Sequence, residues 1–241
     1  MFVPSFYREP ESSWMAELIR GNPLALAITS AGPDSGPFAT HLPVIFDPEA
    51  PQPSAAPDGP DGAQGPDGAQ GPDGVQGPGG AQGPLVGATL LGHMNRANPH
   101  WAALESGGTV LLTFTGPHSY VSPTVYEVTP AAPTWNFTAV HVRGVVAKLE
   151  TMEQTLGVVQ ATVRAFEERF GTGWDMTGSL EYFRKIAPAV GAFRFTVTGA
   201  EGMFKLSQEQ PGEVRARVRD SFEHSACTYR RETAALMNRL P

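Results

Sequence analysis

The sequence has almost no cysteine, few cations in its first half and no long hydrophobic run, and each shortage closes off a class of protein. Cys227 is the sole cysteine among 241 residues, so no intramolecular disulfide can form, which is consistent with a reducing compartment. Apolar stretches such as 24–28 and 110–114 are far shorter than the roughly 20 residues a membrane-spanning helix needs, so no span is expected. The first residues place Arg8 among acidic neighbours and lack the basic start, apolar run and cleavage site of a signal peptide, so a cytoplasmic location is expected. Before residue 143 only Arg8, Arg20 and Arg96 stand against twelve carboxylates, within a formal net charge of −7. A protein that grips DNA by neutralising phosphates shows a basic face, and none is visible before the C-terminal tail; direct nucleic-acid binding is disfavoured. The six histidines form no i, i+4 pair and no cluster with structural-zinc spacing, so no metal is expected. Nucleophile elbows, Walker loops and dinucleotide fingerprints are also missing from any strand-to-helix context.

What is there reads mainly as strands. A first helix runs to about Arg20 with Ser12 or Ser13 as its cap, and Trp14, Leu18 and Ile19 recur at helical spacing. Residues 24–30 and 38–46 are rich in β-formers and flank a Gly-Pro-Asp-Ser-Gly turn at 32–36, the pattern of a hairpin. Further strands are expected at 85–92, 109–115, 135–149 and 192–198. Helices are expected at about 99–104, 152–170 and 180–186 and again from Gly212 onward. From 57 to 83 glycine occupies every third position, a collagen-like period. A triple-helical rod of that length would span about 80 Å, yet its ends must return to neighbouring strands. Geometry therefore favours a flexible loop inserted into a barrel domain covering 1–208, followed by a helical tail at 209–241. Many strands with few helices give a mainly β (α+β) chain: a closed or partly closed barrel with peripheral helices.

The most informative stretch is Gly92-His93-Met94-Asn95-Arg96-Ala97-Asn98-Pro99-His100-Trp101, between a strand and a helix. Asn98 suits an N-cap and Pro99 a first helical position. Free N–H groups at a helix start attract anions, and a nearby arginine can fork onto phosphate oxygens, so the segment could cradle a phosphate. It also fits an ordinary capped helix with a solvated arginine; the scarcity of other cations favours the ligand. Residues 116–123, directly after the Val110 to Phe114 strand, are expected at a barrel rim, where Tyr120 could stack on a ring or simply be core. Trp135 and Asn136 set an aromatic beside an amide, a pair able to cover an isoalloxazine face and meet its polar edge. Lys205, Ser207 and Gln208 would suit a phosphate or a ring carbonyl, on a weak local pattern. Cys227 has no local histidine and reads as a buried or incidental thiol.

Taken in order, Met1-Phe2-Val3-Pro4 with Phe6, Ala39-Thr40-His41-Leu42-Pro43, 92–101, 114–123, 134–141 and Lys205-Leu206-Ser207-Gln208 resemble the PaiB-like family of FMN-binding negative transcriptional regulators. The resemblance covers the first residue to about Gln208. It implies a six-stranded split β-barrel like that of pyridoxamine-phosphate oxidases, FMN as cofactor, and a homodimer with flavin sites at the subunit interface. By the same resemblance Asn95, Arg96 and Asn98 would face the phosphate, and Trp135 and Asn136 would serve a site shared with the other subunit. The full cofactor-binding set it implies is His93, Asn95, Arg96, Asn98, Trp101, Thr113, Tyr120, Thr134, Trp135, Asn136, Lys205, Ser207 and Gln208. The glycine repeat and the tail after Pro211 depart from the family pattern. Split barrels host many activities, so three functions stay open at this level. They are a flavin-binding regulator or sensor, an FMN-dependent oxidoreductase on a small substrate, and a DNA-binding repressor resting only on Arg215, Arg217, Arg219, Arg230 and Arg231. No group stands out as a catalytic acid or base.

Overall fold

The computed structural model describes residues 1–30, 36–53 and 85–240. The 32–35 turn residues and the 57–83 repeat, with the loop expected there, lie outside the described residues. Six strands form one closed antiparallel barrel: β1 (Leu24–Thr29), β2 (Phe38–Phe46), β3 (Thr89–Asn95), β4 (Thr109–Val121), β5 (Thr134–Lys148) and β6 (Val190–Lys205). Their order around the barrel is β1-β2-β3-β6-β5-β4, closed by β1 pairing back onto β4. Among the described residues six α-helices surround it: α1 (Ser13–Gly21), α2 (Pro99–Ala103), α3 (Met152–Phe170), α4 (Leu180–Ile186), α5 (Gly212–Glu223) and α6 (Thr228–Met237).

The interior follows from strand alternation. Ala25, Leu42, Val44, Leu90, Leu112, Phe114, Val140, Val142, Phe193 and Phe195 all point inward and are buried. Helix α1 closes one mouth, with Trp14 edge-on to Phe204 at 5.3 Å, although Ser12 makes no side-chain cap bond. Helix α3 lies outside, where Val158 joins Ile45, Leu91, Leu149 and Ala192 in a second apolar cluster. Its start has both halves of a capping box between Thr151 and Gln154.

Two elements are longer than their local patterns indicate, and a third, expected at 85–92, is shifted toward its C-terminal end. β4 continues past Thr115 to Val121 through a bulge between Thr115 and His118. The expected rim segment is thus strand for most of its length, and the bulge is what lets Pro117 sit there without a ladder N–H. β6 runs to Lys205 because its register with β5 slips between Arg143 and Gly144 and then resumes, so the strand survives the break in alternation near Thr198. β3 begins at Thr89 and reaches Asn95, after a turn at 85–87. The chain beyond Gln208 forms two helices whose Val214, Val218, Phe222, Ala234 and Met237 are buried in the same cluster as the barrel interior. Arg239 ties the end of the tail to Glu17 at 2.8 Å and lies over the Trp14 ring at 4.4 Å. No described helix is long and apolar enough to cross a membrane.

Candidate functional site

The turn from β3 into α2 is built almost wholly from its own polar groups. Asn95 Oδ1 accepts from the Ala97 N–H at 2.8 Å, and the Arg96 N–H donates to the Ala189 carbonyl at 2.8 Å. The Asn98 N–H donates to the Asn95 carbonyl at 3.0 Å, and Asn98 Oδ1 caps the His100 N–H at 3.0 Å. Every N–H from Arg96 to Trp101 is therefore spoken for, Pro99 having none. The expected cradle of free helix N–H groups does not exist, because the N-cap side chain has taken the group an anion would need. Any anion here must be held by side chains.

Beneath the turn lies a buried hydrogen-bond network. His100 is 1% exposed, with Nδ1 at 2.9 Å from Thr40 Oγ1 and Nε2 at 2.9 Å from Thr29 Oγ1. Asn98 Nδ2 also donates to Thr40 Oγ1 at 3.2 Å. All groups are satisfied when Thr40 donates to Nδ1 and Nε2–H donates to Thr29. Burial lowers the His100 pKa and so favours that neutral ring, which stacks on Phe38 at 5.3 Å.

Above the network, Arg96 is exposed and fixed through Nε to the Val190 carbonyl at 2.8 Å, with its guanidinium carbon 5.7 Å from the Trp101 ring. Lys148 Nζ lies 4.6 Å from the same ring and donates to the Trp101 carbonyl at 2.8 Å. Neither cation has a carboxylate partner among the described residues. Two cations without carboxylate partners beside one buried indole are chemically suited to an anion such as a phosphate dianion. Sequence reasoning missed Lys148. It closes β5, and only the register Lys148↔Phe193 with Asn95↔Val190 brings it beside Arg96.

The other expected residues lie elsewhere. His93 is on β3, with burial lowering its pKa and Nδ1 left without a partner among the described residues. Thr113 sits midway along the outer face of β4, opposite His141 of β5 and Leu26 of β1. Lys205 donates to Thr134 Oγ1 at 2.5 Å, and Gln208 folds back onto Leu206 N–H and the Phe204 carbonyl, both at 2.6 Å. Trp135 and Asn136 do not act side by side, because strand alternation puts Trp135 outside at 53% exposure and Asn136 inside at 0%. Asn136 Nδ2 donates to Ser207 Oγ at 2.9 Å and the Ser207 hydroxyl returns a bond to Asn136 Oδ1 at 3.1 Å, beneath Met237 of α6. On the outside, Tyr120 meets Trp135 edge-on at 5.8 Å.

The two groups occupy opposite ends of β6. Arg96 is bonded at Ala189 and Val190, whereas Lys205 lies at the far end of that strand, up to about 50 Å away along its contour.

A closed six-stranded antiparallel barrel with surrounding helices is the fold of the split-barrel proteins, and here the turn after β3 carries two cations without carboxylate partners among the described residues. The family model described as "Putative FMN-binding domain" matches residues 1–199, and the chain belongs to that family. A Bacillus subtilis relative, protease synthase and sporulation protein PAI 2, is 21% identical across 98% of this chain and 96% of its own. An uncharacterized protein of Emericella nidulans is 25% identical across 93% of this chain and 91% of its own. Among solved structures, the FAD and heme binding protein of Mycobacterium smegmatis superposes with a TM-score of 0.51. It is 12% identical, over 87% of this chain and 78% of its own, a likeness of fold alone. FMN is the cofactor of this domain, and the unpaired Arg96 and Lys148 fit its phosphate end.

Proposed function

We propose that the protein is a homodimeric FMN-binding regulator or sensor in which each flavin spans the two subunits. Arg96 and Lys148 of one subunit hold the phosphate, and the ring reaches the exposed Trp135 and Tyr120 of the other. The observation that carries this reading is the pair of cations on the Trp101 indole with no carboxylate partner among the described residues, in a chain where carboxylates outnumber cations. Two subunits account for the separation of the two groups along β6. The outer face of the barrel also leaves Leu26, Ile28, Leu111 and Ala139 part-exposed around Thr113, an apolar surface suited to a second copy. Bound FMN would supply electron-transfer and hydride chemistry. The protein's share is to hold the phosphate and to stack on the ring.

A regulatory role agrees with the family resemblance, and the tail makes an indirect route the better one. Arg217 donates to the Tyr126 carbonyl at 2.5 Å, Arg219 pairs with Asp220 at 2.8 Å, and Arg231 donates to the Ser225 and Ala226 carbonyls at 2.8 Å. Arg230 packs over Phe222 at 5.5 Å. With Arg239 paired to Glu17, five of the six tail arginines thus have partners within the chain and do not form a free phosphate-reading face, so regulation would run through another protein. The open aromatic end of the site favours one further reading, an FMN-dependent oxidoreductase on a small molecule. Steady NAD(P)H oxidation by purified protein would select it, and bound flavin without turnover would select the sensor.

The reading is tested by the visible spectrum of purified protein and the identity of its released chromophore, with FMN expected. Arg96→Ala should weaken FMN at least tenfold while leaving riboflavin, which lacks the phosphate, within about twofold, as expected for loss of a charge-assisted contact. Colourless protein that takes up no added FMN would remove the reading, and equal losses for both ligands would make Arg96 structural.

A further inference from the structure

His118 lies on the outer face of β4 just after the bulge, and its ring faces two others: Tyr229 of α6 at 4.8 Å and Trp135 of β5 at 6.3 Å. Tyr120 extends the row by meeting Trp135. Trp135, Tyr229 and Tyr120 are 53%, 52% and 43% exposed, a concentration of aromatic surface that the barrel's own packing leaves in water. His118 Nδ1 lies 3.1 Å from the Gly116 carbonyl, which only accepts, so the hydrogen of the neutral ring is on Nδ1. Nε2 then carries a bare lone pair and no bond to another described residue. The result is a stacking surface with one fixed hydrogen-bond acceptor at its centre.

We propose that α6 completes the ring-binding wall: Tyr229, His118 and Trp135 together receive the isoalloxazine of FMN, and His118 Nε2 accepts a hydrogen bond from the ring's imide N–H. The proposal rests on the flavin reading above and deepens it. The pyrimidine edge of the isoalloxazine offers a single N–H between two carbonyls, so a lone acceptor flanked by aromatic faces matches its donor. A ring without such an N–H would stack but find no hydrogen-bond partner. The tail is thereby part of the site: Tyr229 comes from α6, which lies beyond the 1–199 span matched by the family model. Its position is set by the packing of Ala234 and Met237 in the barrel cluster.

The test uses the full chain and riboflavin, which has the ring without the phosphate. Riboflavin should quench tryptophan fluorescence and shift the His118 ring resonances in NMR spectra. Tyr229→Ala should weaken riboflavin and FMN by the same factor, about 5- to 100-fold, as loss of one aromatic stacking partner does. Tyr229→Phe should restore both. His118→Phe keeps the stack and removes the acceptor, so it too should weaken both ligands while leaving the unfolding midpoint within a few degrees. Unchanged riboflavin affinity in Tyr229→Ala and His118→Phe, with FMN still bound by the wild type, would overturn this proposal alone. A wild type that binds neither ligand would overturn the flavin reading and this proposal with it.

Discussion

Trp101 can carry two cations because the backbone opposite it has no side chain. A methyl group added at Gly191 would overlap the indole rings, so Gly191→Ala must displace either Trp101 or the start of β6. Overpacking of this kind costs about 1–3 kcal/mol. The expected outcome is a lower urea midpoint together with weaker FMN binding, measured by denaturation and by flavin titration; a loss of stability with FMN affinity intact would separate Trp101 from the phosphate site. Buried and half-buried histidines add a pH dependence. His93, His100 and His141 all have pKa values lowered from 6.5, with burial the largest cause in each. Their unfolded forms take up protons more readily than the folded ones, so stability is complete above about pH 6.5 and falls as pH drops through and below that value. Unfolding midpoints of the flavin-free protein should therefore decline between pH 7.5 and 5.5. His93→Leu should flatten the decline, since Nδ1 of His93 has no partner among the described residues to lose. An identical decline in that variant would remove His93 as a contributor.

At the scale of elements, the helical tail behaves as part of the core. Phe222 of α5 is 1% exposed among barrel residues, so Phe222→Ala should cost about 3–5 kcal/mol and do so in one cooperative transition of the whole chain. Two transitions, with the barrel's own midpoint unchanged, would show the tail to be a separate unit. The elements also show where local pattern stops being a guide. Alternation identified β1, β2 and β5 almost to the residue, because their inward and outward positions differ cleanly in polarity. It ended β4 at Thr115 and β6 at Thr198, the places where an extra residue breaks the period of two while cross-strand bonds continue beyond it. A bulge is invisible to a pattern that assumes constant period.

For the whole molecule, the pairing of β2 with β3 bears on the glycine repeat. Val44, Ile45 and Phe46 lie opposite Gly92, Leu91 and Leu90, so the two strands are direct antiparallel neighbours and a short loop suffices between them. Replacing residues 57–83 with a few flexible residues should leave the unfolding midpoint and the sedimentation coefficient, after correction for mass, unchanged. A fall in oligomer size on that replacement, or on collagenase treatment, would mean that the repeat trimerises the protein. The dimer expected from the divided site can be checked separately. Mixing Arg96→Ala subunits with Trp135→Ala subunits should recover one intact site in each mixed dimer, and a mixture no better than its components would place both groups in separate sites.

The sequence by itself determined the family, the cofactor and the strand content. The order of short motifs and the period of two are local properties, and Arg96 stood out because its half of the chain has so few other cations. What only the tertiary structure decided is which residues meet. Lys148 joins Arg96 through strand register, Asn136 turns inward to Ser207 while Trp135 turns outward, and Tyr229 reaches His118 from 111 residues away through the packing of α6. The N–H groups that appeared free at the start of α2 are taken by Asn95, Asn98 and Ala189. The contacts of Lys148 with Trp101, of Asn136 with Ser207 and of Tyr229 with His118 depend on separations along the chain that carry no periodic signal, since closing a barrel fixes neighbours by hydrogen-bond register and side-chain volume.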